Sequence, residues 1–116
     1  MGEVFDALSV RAERYAEVVH RPALSAGIYR LAAGEADPQS PHTEDEVYLV
    51  VAGRAVLRAA GVDLPVAAGS IAFVPAGEDH RFHSITEDLV VAVVFGPAEG
   101  THAQGTPAEG TNAQPS

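Results

Sequence analysis

The sequence predicts a small all-β protein folded as an antiparallel closed barrel or jelly roll. Three observations carry that expectation. Short apolar segments of strand length alternate with Gly, Pro and Asp turns from Leu24 to Phe95, at the spacing of a sandwich or barrel. No convincing helical period interrupts them. The aliphatic content, carried by Val, Leu and Ala, is enough for one modest core in 116 residues.

The elements follow in order. Residues 1–23 form an N-terminal arm, read in two ways. Ser9 caps a short helix to about Val19 that Pro22 ends, or the segment is extended and wraps the domain. The barrel spans 24–97. Leu24–Leu31 is its first strand, closed by Ala33-Gly34. Glu46–Val51 and Arg54–Ala59 lie either side of Gly53, and Gly61 turns into Val62–Val66. Ala68-Gly69 turns into Ser70–Val74, and Pro75-Ala76-Gly77 makes a tight turn, with Pro suited to its first central position. His80–Ser84, the polar turn Thr86-Glu87-Asp88 and Leu89–Phe95 complete seven or eight strands. Residues 98–116 are set apart. Pro-Ala-Glu-Gly-Thr-His-Ala-Gln from Pro97 recurs as Pro-Ala-Glu-Gly-Thr-Asn-Ala-Gln from Pro107. Such small polar residues bury too little to offset chain entropy, so a disordered tail is expected.

Seven basic against sixteen acidic residues give a net charge of −9, which argues against nucleic acid, whose binding needs clustered Lys and Arg. No apolar run reaches membrane-spanning length. The segment MGEVFDALSVRAER lacks a basic leader followed by an apolar stretch, so no signal peptide is expected and the cytoplasm is the default location. There is no cysteine, so neither a disulfide nor a thiolate metal site is available.

Chemistry is concentrated in His42, Glu46 and His80. On one regular strand, residues four apart lie roughly 13 Å from each other. A three-residue hairpin loop at Thr43-Glu44-Asp45 would instead set His42 across from Glu46, with Cβ atoms about 5 Å apart. His80 follows its own tight turn and approaches from a third direction. Two imidazoles and a carboxylate with open positions suit Fe(II), and can also hold Zn, Mn, Ni or Cu. Taken singly, each residue would pass for an ordinary polar turn residue. Their regular Gly and Pro framework argues for the set.

That framework reads Gly34-x5-Ser40-x-His42-x3-Glu46-x6-Gly53 and Gly69-x5-Pro75-x-Gly77-x2-His80. It resembles the two motifs of a small single-domain cupin over roughly residues 24 to 95. The resemblance implies a jelly-roll β-barrel, a divalent transition metal at its centre and, usually, a homodimer. Two positions depart from the family pattern. Ser40 stands where its first histidine would be, and Ser84 where it has asparagine. The remaining ligands are His42, Glu46 and His80; the fourth place falls to the amide oxygen of Gln39, to water or to a substrate, or the site holds no metal.

Period-2 alternation from Glu46 turns Tyr48 and Val50 inward, and from His80 turns Phe82 and Ser84 inward. Tyr48 is thereby a candidate to orient a substrate or act as an acid, and Glu46 a candidate base. Val47, Leu49 and Val51 face outward and need cover from the arm or a second subunit. His83 falls on the face opposite His80, His20 has no evident partner, and Glu44 and Asp45 solvate the turn. The expected function is a metal-binding protein with a small-molecule ligand in its barrel, an enzyme of dioxygenase type first and an isomerase or epimerase second. The alternative is a non-catalytic binding module.

Overall fold

A computed structural model describes residues 2–38 and 42–101. Six strands and no helix are present among the described residues: β1 (Tyr15–Arg21), β2 (Leu24–Leu31), β3 (Asp45–Ala59), β4 (Val62–Ala67), β5 (Ile71–Val74) and β6 (His80–Gly96). Their order is β1-β2-β6-β3-β4, with β5 also pairing β3. Every pairing is antiparallel. The result is the expected antiparallel jelly-roll barrel. No helix is long and apolar enough to cross a membrane among the described residues.

The strands are longer and fewer than the turn residues imply. Gly53 and Thr86-Glu87-Asp88 lie inside β3 and β6 instead of ending strands. They sit beside each other in the β3–β6 ladder, where Arg54 pairs with Glu87 and the register shifts repeatedly between Val50 and Val56. A bulge bends a strand without terminating it, and turn-forming residues serve it well. Gly53 takes φ +99° at the bend, where a Cβ would lie 2.3 Å from the Asp88 carbonyl oxygen. No other residue type fits there.

Inward positions of β3 and β6 build the core. Tyr48, Val50, Leu57, Phe82, Leu89, Val91, Val93 and Phe95 are buried, joined by Leu31, Val66 and Val74. Val47 and Leu49 are outward and exposed, as alternation expects. Ser84 departs from the alternation. It has φ +51° and is exposed, while Ile85 turns inward in its place. The register shift between Arg54 and Val56 lies directly opposite this stretch of β6 and breaks the period.

The N-terminal segment is extended, and the short helix does not form. Tyr15–Arg21 adds as β1 to the free edge of β2, where an aromatic and two β-branched residues suit a pleated surface. One short isolated helix would have been marginal by comparison. Ahead of β1 the arm is tied down by Arg30. Its guanidinium donates to the carbonyls of Leu8 (2.9 Å) and Ala7 (3.3 Å), and its Nε to that of Val10 (3.3 Å).

At the other end, the first residues of the segment read as a tail pack on the barrel. Ala98 is buried, its N–H donates to the Pro22 carbonyl at 3.3 Å, and Glu99 N–H donates to Ser25 Oγ at 2.8 Å. The rest of the tail, from 102 onward, lies outside the described residues. The bend at Gly53 gives a sharp test. Gly53→Ala should lower unfolding stability by about 2 kcal/mol or more, combining strain at positive φ with a backbone clash. Gly61→Ala, also at positive φ but with open space around it, should cost about 1 kcal/mol. Denaturant titration of the two variants decides it.

Candidate metal centre

Two turns are stitched together to bring the histidines to one place. The Gly77 N–H donates to the His42 carbonyl at 2.7 Å, and the Ala76 N–H donates to the Asp45 carboxylate at 2.9 Å. The turn that launches β6 is therefore fastened to the segment that launches β3. His42 precedes β3 in irregular chain, so the expected hairpin with Thr43-Glu44-Asp45 as its loop does not form. The connection after β2 is held by a buried carboxylate instead. Asp37 accepts the Tyr29 hydroxyl and, at 2.8 Å, the Phe82 N–H.

Glu46 is the first inward residue of β3 and is 2 % exposed; His80 opens β6 and is equally buried. The His42 ring packs on Phe95, centroids 4.7 Å apart, and lies 6.1 Å from the His80 ring. One ligand atom from each of His42, Glu46 and His80 lies within 4.8 Å of the others. Tyr48, two residues beyond Glu46, is buried with its ring 6.0 Å from His80 and 5.0 Å from Phe82. Gln39 and Ser40, the residues bearing on the fourth ligand position, lie outside the described residues.

The donor chemistry fits a cation. His80 Nδ1 lies 2.8 Å from the Glu78 carbonyl, which fixes the proton on that nitrogen. Nε2 then turns an unshared pair toward Glu46 Oε1 at 3.1 Å, and neither atom has a hydrogen-bond partner. Two acceptors face each other in a buried site. A proton or a metal ion between them resolves the repulsion. Burial works against a charged His80, but Glu46 and the Glu78 carbonyl outweigh it and hold the imidazole above its usual 6.5.

Above the cluster opens a cavity of about 260 Å³ lined by His42, Glu46 and Tyr48 and by groups that the motifs do not contain: Arg14, Tyr15, Tyr29 and Glu99. Glu99 Oε2 approaches His42 Nδ1 at 3.6 Å. Burial raises the Glu99 pKa, His42 opposes the rise, and Glu17, Glu44 and Glu46 add to it. Glu44 is itself buried, with its carboxylate taking the Thr43 hydroxyl, so it does not solvate the turn. Asp45 is exposed, as expected. His83 stays outside on Asp63 (2.9 Å), and His20 lies beside Glu17 (3.1 Å). Sequence reasoning missed Glu99 because its decapeptide repeat carries no structural signal. Arg14 and Tyr15 sat in a segment whose helix or strand character was open.

A family model described as a cupin domain matches residues 27–96. The chain belongs to the cupin family. An uncharacterized protein of Streptomyces coelicolor is 48% identical over 85 residues, covering 73% of this chain and 81% of the other. The barrel is similar in fold to other solved cupin-like structures. The Cnp3 cupin domain of Schizosaccharomyces pombe has a TM-score of 0.73 at 14% identity, covering 81% of this chain and 73% of that one. KdgF from Halomonas has a TM-score of 0.70 at 19% identity, covering 84% and 94%. These two likenesses concern fold alone.

The raised His80 pKa has a testable sign. A group raised by folding contributes stability that is complete below its unfolded value, near 6.5, and is lost as pH rises through the folded value. Chelator-treated protein should therefore melt at progressively lower temperature as pH climbs above 6.5. His80→Gln should flatten that slope in the same thermal scans.

Proposed function

We propose that this cupin binds one divalent transition ion through His42, Glu46 and His80, Fe(II) first and Zn, Mn, Ni or Cu as alternatives. The single observation supporting this is the facing pair of buried acceptors, His80 Nε2 and Glu46 Oε1, 3.1 Å apart. When bound, such an ion supplies Lewis acidity and, for iron, redox chemistry toward an oxygen-bearing small molecule. The chain's own residues do the rest. Phe95 and Val93 keep the cavity largely apolar, Glu46 is the candidate base, and Tyr48 orients the ligand as a hydrogen-bonding group. Dioxygenase-type chemistry is the favoured reaction and isomerase or epimerase chemistry the next. Fold alone does not choose between them.

A second reading, a non-catalytic binding module, is favoured by one feature: Ser40 replaces a histidine of the family pattern. Metal analysis and turnover separate the readings. Untagged protein exposed to Fe(II), Mn(II), Zn(II), Ni(II) and Cu(II) should retain one equivalent of metal. His42→Ala and His80→Ala should lose about tenfold or more in affinity. Equal metal content in all three proteins sinks the metal assignment. Oxygen uptake by the Fe(II) form across enediols and diphenols then supports an enzyme, whereas tight binding of an unchanged ligand without uptake supports the module.

The proposal extends to a homodimer. Val47 and Leu49 on β3 pair with Phe73 and Ile71 on β5, and Val47 also pairs with Val94 on β6. These five side chains are 37–74% exposed on the outer surface, a contiguous patch of the kind that marks an interface. Light scattering should give a dimer mass for the wild type and a monomer for Phe73→Glu. A monomeric wild type at micromolar concentration overturns this part.

A further inference from the structure

The same cavity is lined by two donors that the fold does not fully use. The Arg14 Nη1 and Tyr15 Oη atoms are closed off from solvent, line the same cavity as His42 and Glu46, and make no hydrogen bond of good geometry among the described residues, although the Arg14 guanidinium also lies beside the Tyr29 hydroxyl. Both are held in place by the protein. Arg14 is anchored through its other terminal nitrogen, 3.0 Å from Glu35 Oε2. Tyr15 crosses directly over Gly27, where a Cβ would lie 2.3 Å from the phenol oxygen and 2.6 Å from the Ala16 carbonyl oxygen. Position 27 must be glycine for the ring to lie there. Burial, followed by the nearby charges of Glu99, Glu17 and Glu46, holds the phenol well above its usual range, so it stays protonated as a donor.

We propose that Arg14 and Tyr15 recognise a carboxylate, and that the ligand of this cavity is a small carboxylic acid whose second oxygen-bearing end faces His42, Glu46 and His80. A guanidinium N–H and a phenol O–H lining one cavity call for an acceptor that is anionic or strongly polar. Glu35 already offsets the Arg14 charge and the chain carries −9 overall. Recognition therefore rests on two placed donors and not on a broad positive field. Val93 and Phe95 on the same cavity suit a short carbon skeleton between the two ends, and about 260 Å³ is at the small end for ligand sites. The inference deepens the small-molecule reading above and shares its cavity, but it does not require the metal.

The test is calorimetric titration of the untagged full chain, both metal-loaded and chelator-treated. The probes are 3-hydroxybutyrate, levulinate and succinate, each against its amide, with inorganic phosphate alongside. At least one acid should bind about tenfold tighter than its amide. Arg14→Gln should remove most of that preference and Tyr15→Phe part of it, while metal content stays at the wild-type level. Tyr15→Phe deletes only a hydroxyl and keeps the test alive if the arginine variant folds poorly. An acid preference that persists in chelator-treated protein and depends on Arg14 supports the inference even where no metal is retained. Normal metal retention with acids and amides binding alike overturns it and leaves the metal reading standing. No acid binding at millimolar concentration also overturns it, as does phosphate binding with the same Arg14 dependence.

Discussion

Glu46 and His80 stand at opposite ends of the β3–β6 ladder. Glu46 pairs with Phe95 near one end, and His80 pairs with Ala59 at the other. Laid flat, β3 from Glu46 to Ala59 would hold these ends ~40 Å apart, yet the two side chains meet at 3.1 Å. The ladder must therefore curl until its ends face each other across the interior. Its bulges between Val50 and Val56 supply the bend, and Gly53 lets the backbone pass against Asp88. The hydrogen bonds from Gly77 and Ala76 to His42 and Asp45 then lock the two ends together. The curl and the Gly77–His42 bond are backbone features, and only the Asp45 carboxylate adds a side chain to the stitch.

What occupies that junction is expensive. A carboxylate and an imidazole, each about 2 % exposed, have lost nearly all hydration. Their mutual attraction repays this only with good geometry and full hydrogen bonding. Here one imidazole nitrogen is committed to the Glu78 carbonyl and the other lies 3.1 Å from Glu46 Oε1. Replacing a buried ion pair with apolar side chains of similar volume is often neutral or stabilising. The surrounding core of Tyr48, Val74, Phe82 and Phe95 would accept them. A buried ion pair is weak evidence for stability, and binding a metal, as proposed above, gives this one a role.

The sequence disclosed the parts of this arrangement that depend on backbone conformation. Gly53, Gly69 and Gly77 all have positive φ, so their spacing was a direct record of where the chain must bulge or turn. It told nothing of whether a glycine ends a strand or bends it, because both demands look alike at one residue. Hence β3 and β6 were each read as two strands. Period-2 reasoning placed Tyr48, Val50 and Phe82 inside correctly, and failed at Ser84, one residue past a register shift that only the partner strand reveals. Glu44 was assigned to solvent by its type, yet it is buried among neighbours brought there by long-range folding. Tyr15 lay in a stretch whose apolar spacing suited either a helix or a strand, and only the open edge of β2 decided between them.

That last group clarifies how the site divides its tasks. The candidate ligand cluster comes from the launch points of β3 and β6, the elements whose pairing makes the barrel. Arg14 and Tyr15 come from the start of an edge strand, and Glu99 from the segment after β6. These peripheral segments each touch the barrel along one side only, so their side chains can change without disturbing the β3–β6 ladder. Arg14 and Tyr15 still acquire fixed positions because Glu35 and the bare backbone at Gly27 hold them. On the proposed reading, a central cluster held by the curl is combined with recognition groups supplied by the margins of the barrel. Selectivity in this chain is then, on that same reading, set by β1 and the turn after β6, and the chemistry by the curl.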